Sequence, residues 1–185
     1  MRLIDRTAET ASTFMTLGGT RGPRHIFCNG NTRARRNTRV LSGIILHHTN
    51  FVNSSLDRYN HVIANYVVMR DGRVLKVREH AMCLNSVGTD HRAVDIEFEG
   101  VYGDGLITPP GPQLKVGRAL VAYLGAKYGL TRIFGHRHFN PKPCPGPHIW
   151  YNVGLWAARN GFTSTGGTRT LPSAWEDPGL RVLHD

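Results

Sequence analysis

Apolar and polar positions along the chain alternate with two different periods, and the change from one to the other marks out the elements. VLSGIILHH, beginning at Val40, is a run of strand length that is rich in Ile and ends in two histidines. NYVVMRDGRVLKVRE predicts two strands joined at Asp71-Gly72, a dipeptide suited to a tight turn with positive φ. AVDIEFEG sets Val94, Ile96 and Phe98 against Asp95, Glu97 and Glu99, the period of a sheet with two unlike faces. In LKVGRALVAYLGAKYGL, by contrast, Val116, Leu120, Tyr123, Leu124 and Leu130 fall near helical spacing. IWYNVGLWAARNG predicts a terminal helix stopped at Gly161, with Trp150 and Trp156 as core residues. A shorter helix is expected near 54–63, capped by Asn53, Ser54 or Ser55, and a short strand from Arg132 to Phe134. Strands interspersed with two good helices predict an α/β or α+β domain built mainly from about 40 to 161.

The flanks follow neither period. Residues 1–39 carry eight Arg against Asp5 and Glu9 and are Gly-rich, which predicts a basic arm with at most a short helix near its start. Residues 162–185, opening on the Thr/Gly/Ser run TSTGGTRT, read as a tail or linker. With 185 residues the chain is long enough for one core, and its net charge of +10 predicts an anionic partner. Three cysteines are an odd number and argue against a disulfide scaffold. MRLIDRTAETAST contains no apolar segment of the kind a signal peptide needs, and no run of apolar residues is long enough to insert in a membrane.

Chemistry concentrates in GHRHFNPKPCPG at 135–146, where two His, a Lys and a Cys lie among three Pro. Asn140, Lys142 and Cys144 each precede a proline, which disfavours the helical region and predicts a stiff, extended loop. The spacing of His136 and Cys144 matches no standard zinc finger, so the loop alone leaves an accidental cluster and a metal site equally open. His47 and His48 end a strand, where neighbouring side chains take opposite faces, so only one of them can join a given site.

IILHHTN at 44–50, YVVMRDGRV at 66–74, AVDIEFEG at 93–100 and GHRHFNPKPCPG, in this order and spacing, resemble the N-acetylmuramoyl-L-alanine amidase family. That family includes T7-lysozyme-like phage endolysins, amidases of cell-wall recycling and peptidoglycan recognition proteins. The resemblance covers roughly residues 40–160. It implies an α/β fold with a mixed central sheet flanked by helices. It also implies a zinc hydrolase that cuts the amide between N-acetylmuramic acid and the L-alanine of the stem peptide, so that 40–161 becomes the zinc amidase domain. Carried over residue by residue, the zinc ligands fall on His47, His136 and Cys144, the loop lysine on Lys142 and the catalytic carboxylate on Glu97.

The chemistry of these residues agrees with the transfer. Two imidazoles and a thiolate leave one position open on tetrahedral zinc, the pattern of a catalytic site. Glu97 would act as general base and then acid, and Lys142 would stabilise the oxyanion. For Glu97 the competing reading is a solvated acidic strand face, and for Lys142 an ordinary loop lysine. Three features depart from the family pattern. Ala64 stands where some members have a Tyr, which shifts weight onto Glu97; Tyr66, expected to point the same way as Ala64, is a substitute whose favoured competing reading is packing. His-Ala-Met-Cys-Leu-Asn at 80–85 replaces a segment near the substrate groove, and His138, where the family often has Asp, is expected on the surface.

The leading expectation is therefore a peptidoglycan amidase of the phage-lysin kind, monomeric, with the basic arm holding anionic wall polymers. It is made in the host cytoplasm and reaches the wall through a phage-made pore. The alternative is a recognition module that binds peptidoglycan without cutting it. A nucleic-acid partner is disfavoured, because aromatic residues do not interleave with the arginines of the arm.

Overall fold

The structure is a computed structural model that describes residues 1–8, 41–53, 55–80 and 92–183. Among the described residues six strands, β1 (Arg2–Asp5), β2 (Gly43–His48), β3 (Tyr66–Val68), β4 (Arg73–Lys76), β5 (Ala93–Phe98) and β6 (Arg132–Gly135), form one sheet in the order β1-β4-β3-β5-β2-β6. Only β3 and β4 pair antiparallel, so the sheet is mixed. Their turn is the one Asp71-Gly72 predicts: Gly72 has φ 85°, a conformation that favours glycine.

Helix α1 (Gly111–Tyr128) crosses between β5 and β6 and ends at Gly129 in the left-handed region. Helix α2 spans 147–159, with a π-helical stretch at Trp150–Leu155. Both lie on one face of the sheet. There Ile44, Leu46, Tyr66, Val68, Val94, Ile96, Phe98 and Ile133 pack with Leu114, Leu120, Val121 and Leu124 of α1 and Ile149, Val153 and Ala157 of α2. Gly117 allows the closest approach of α1, since a Cβ there would come within 2.6 Å of the Phe98 ring. The opposite face carries two smaller apolar clusters. Tyr59, Val62, Ala64, Val67, Met69, Leu75 and Val77 form one, and Ile45, Ala93 and Phe134 form the other. Polar side chains emerge on that face at the C-terminal ends of β2 and β5.

Outside the metal loop, four sequence expectations need correction. The first residues are not the start of a free arm: Arg2–Asp5 pair in parallel with Arg73–Lys76 and make the outer strand of the sheet. Four residues are too few to show a period, and the pairing with β4 decides their conformation; the remainder of the arm, 9–39, lies outside the described residues. The helix expected near 54–63 is a 3-10 turn, Leu56–His61, capped by Ser55. The expected tail or linker is docked along 162–183. Trp175 is buried, Val182 and Leu183 pack on the helical core, and Asn152 binds Leu180 O and the amides of Val182 and Leu183. Tyr66 does not follow Ala64, because Asn65 O accepts from both Val77 and Arg78 and breaks the alternation. Ala64 stays on the open face, whereas Tyr66 enters the helical core and meets His80 Nε2 at 2.8 Å. Among the described residues no helix is long and apolar enough to cross a membrane.

Candidate metal centre and groove

Strand register assembles the first half of the site. β2 and β5 run parallel with His47 opposite Glu97 and Ile45 opposite Asp95, which puts His47, Asp95 and Glu97 on the open face. His48 takes the other face, where its Nδ1 accepts the Tyr102 amide at 2.9 Å. His47 Nε2 lies 3.0 Å from Asp95 Oδ1, with both side chains buried. That contact leaves Nδ1 for the site, and it lies 3.1 Å from Nδ1 of His136.

The loop after β6 supplies the second half. Leu46 pairs with Gly135, so His136 enters beside the end of β2 and starts a short 3-10 turn, His136–His138. His138 is buried rather than on the surface, and its Nδ1 accepts the Gly135 amide at 3.0 Å. The loop then folds back on itself: Arg137 N donates to Cys144 O at 2.8 Å, and Cys144 N to Lys142 O at 2.8 Å. A Cβ on Gly135 would sit 2.7 Å from Pro145 Cδ, so the two ends of the loop touch only because this position is glycine. Cys144 Sγ, buried, accepts the His48 amide at 3.4 Å.

One donor atom each from His47, His136 and Cys144 lies within 4.8 Å of the other two. Ligands 2.0–2.1 Å from a tetrahedral zinc are about 3.3 Å apart, close to the separation of the two Nδ1 atoms, and the nitrogen and sulfur donors suit that metal. Burial, then the charges of His47, Lys142 and His48, push His136 down to about 3, so it is neutral and able to ligate. Burial works against charge on His47 too, but Asp95 and Cys144 outweigh it and hold its pKa well above the ordinary value.

A groove of ≈ 530 Å³ opens over this cluster, lined by His47, Glu97, His136, Lys142 and Cys144 together with Ile63. Glu97 is half-buried, and its Oε2 has no hydrogen-bond partner among the described residues. Burial raises its pKa to about 7, partly offset by the charge of His47. Lys142 is exposed at the rim and makes no ion pair among the described residues. Past Glu97 and Ile63 a second cavity of ≈ 230 Å³ continues the groove, lined by Thr49, Phe51, Arg58, His61 and Val62.

All five residues singled out in the sequence thus reach one groove. Sequence reasoning missed those that hold them. Asp95 was legible as a partner for His47 from its two-residue offset to Glu97, given the strand register. Glu99, the third carboxylate of the series, accepts from the Tyr59 hydroxyl and from Arg70 N at 2.9 Å and serves the turn instead. Arg78, buried, donates to Val62 O, to Ala64 O at 3.3 Å and to Asn60 O at 3.1 Å, and no local pattern announced it. Cys28, Cys83, His25, His91 and His184 lie outside the described residues.

Residues 36–147 match the sequence profile of the family described as N-acetylmuramoyl-L-alanine amidase. No curated protein sequence matches the chain. Among solved structures, the Ph2119 endolysin from Thermus scotoductus MAT2119 bacteriophage Ph2119 is similar at 18% identity and TM-score 0.58, over 87% of this chain and 99% of that one. The N-acetylmuramoyl-L-alanine amidase LysC from Clostridium intestinale URNW is similar at 20% identity and TM-score 0.55, over 73% and 95%. Peptidoglycan recognition protein-LE, solved in complex with tracheal cytotoxin, a monomeric diaminopimelic acid-type peptidoglycan, is similar at 17% identity and TM-score 0.51, over 68% and 85%.

Proposed function

The chain belongs to the N-acetylmuramoyl-L-alanine amidase family, and from that premise we propose that it is a zinc-dependent hydrolase of the phage-lysin kind. Its bond is the amide between N-acetylmuramic acid and L-alanine of peptidoglycan. The observation that supports this most is the convergence of His47, His136 and Cys144 on one point of a groove that also holds Glu97, whose Oε2 has no hydrogen-bond partner among the described residues.

His47, His136 and Cys144 would hold the metal, and Asp95 fixes the ring of His47 so that Nδ1 faces the other donors. Zinc held there supplies Lewis acidity toward the scissile carbonyl and toward the attacking water. Glu97 takes the proton of that water on its carboxylate and returns it to the leaving amine. A pKa of about 7 suits both transfers near neutrality. Lys142, at the rim, donates to the oxygen of the developing tetrahedral centre. Asp104 lies in the same groove.

A recognition module that binds without cutting is the second reading, and retention of all three donors together with Glu97 counts against it. Digestion of purified cell walls tests the choice. Free stem peptides, lost with a chelator and restored by zinc, support the amidase; cleavage within the glycan strand sinks it, and binding without release favours recognition. The site of action, the bacterial wall reached from the host cytoplasm, belongs to the same proposal, as does retention on anionic wall polymers through residues 9–39.

A further inference from the structure

Strand β1 lies outside the stretch that matches the family profile, yet the residue that follows it bonds to the turn whose residues line the groove. Arg6 follows β1 and is fixed by its own amide, which donates to Lys76 O at 2.8 Å. Its guanidinium reaches across to the 3-10 turn Leu56–His61: Nε donates to Asn60 Oδ1 at 3.0 Å and Nη2 pairs with Asp57 at 2.7 Å. Asp57 is 83% exposed, so water screens that pair, whereas the side chain of Asn60 is buried. Asn60 is held a second time, through its carbonyl, by Arg78. Arg78 also holds the carbonyls of Val62 and Ala64. The segment between these anchors provides Arg58, His61 and Val62 to the second cavity, and Ile63 to both cavities.

We propose that Arg6 is a positioning residue for substrate: through Asn60 it sets the wall formed by residues 58–63, so that the N-terminal strand is part of the binding groove. The inference rests on peptidoglycan being the substrate. It concerns how firmly a muropeptide is held in the second cavity. The hydrogen bonds of Arg6 described above run to Asn60, Asp57 and Lys76, not to a metal donor, so its effect is expected on substrate binding rather than on zinc affinity or the chemical step. A 3-10 turn of six residues has little stability of its own, and a wall made from one needs outside anchors to keep its shape before substrate arrives.

The test uses the full chain loaded with zinc, with a soluble muropeptide as the probe, and compares Arg6→Met and Asp57→Asn with the parent. Arg6→Met is expected to raise KM about tenfold, the scale of one lost hydrogen bond to a charged group, with kcat within about twofold and zinc content unchanged. Asp57→Asn, which removes only the exposed pair, is expected to leave KM where it was. Titration of the muropeptide into chains that also carry Glu97→Gln reads binding without turnover and should show the same tenfold loss for Arg6→Met. Unchanged binding by Arg6→Met overturns the positioning role, as does a fall in kcat at constant KM, while leaving the amidase reading intact. A parent chain that neither binds nor cuts the muropeptide overturns both.

Discussion

The loop 135–146 and the turn 55–65 both line the groove, but they are held in place by different means. Within the loop the constraints are local. Prolines follow Asn140, Lys142 and Cys144, Arg137 bonds Cys144 across a few residues, and His138 caps Gly135. The turn has a local cap from Ser55, but most of its anchoring is long-range: Arg6 and Arg78, one on each side of it in sequence, hold Asn60 and Ala64, and Glu99 accepts from the Tyr59 hydroxyl. The loop carries metal donors, whose positions must hold to a fraction of an ångström. The turn carries the apolar and cationic lining, which tolerates more. Rigidity by local covalent means sits where the chemistry is demanding, and rigidity by long-range bonding sits where the task is contact.

Breaking the loop should cost the most. Cys144→Ser is expected to abolish release of stem peptides and to lose zinc on dialysis, read by metal analysis. Zinc should raise the Tm of the parent through binding to the folded state and fail to do so in this variant. Glu97→Gln keeps the donors and is expected to lower kcat about 10³-fold with zinc still bound. Retained activity would remove Glu97 from the mechanism, and Tyr66, on the far face of the sheet, is not available to replace it. Lys142→Met is expected to lower kcat about 10²-fold while zinc content stays constant; an effect confined to KM would make it a substrate contact instead. On the turn side the largest expected change is in stability rather than rate. Arg78→Met leaves buried carbonyls without their donor and should cost about 3 kcal/mol in denaturant unfolding, with kcat of the folded fraction within about twofold. If Arg78→Met instead lost zinc, the two walls would be coupled and the contrast between them would fail.

The same contrast explains what was legible in the sequence. The metal loop could be read because its constraints are sequence-local: prolines, glycines and donors lie within twelve letters of each other, at 135–146. The strands of the centre were readable because Val94, Ile96 and Phe98 alternate with carboxylates. Arg6, Asn60 and Arg78 were not: Arg6 reaches Asn60 through the pairing of β1 with β4, and a four-residue strand at the start of a basic segment leaves no periodic trace. Tyr66 was misplaced for a related reason: the shared acceptance at Asn65 O shifts the alternation by one, and only the pairing partner reveals such a shift. His138 was misplaced because a histidine that caps its own turn looks, in sequence, like any other polar loop residue. The fit to the family fold was legible as a whole, but the length of chain that completes it was not, because the docked residues 162–183 are tied down by Asn152 and by one buried Trp175 rather than by a repeating pattern.

The contact between Gly135 and Pro145 also prepares the loop for an ion. Because the two ends of the loop touch, His136 and Cys144 behave as the teeth of a preformed chelate whose ring is closed before any ion arrives. Much of the ordering entropy that a flexible ligand would lose on binding has already been lost in folding. A larger residue at 135 would reopen that ring and turn one bidentate claw into two separate donors, without altering a single atom that touches the metal.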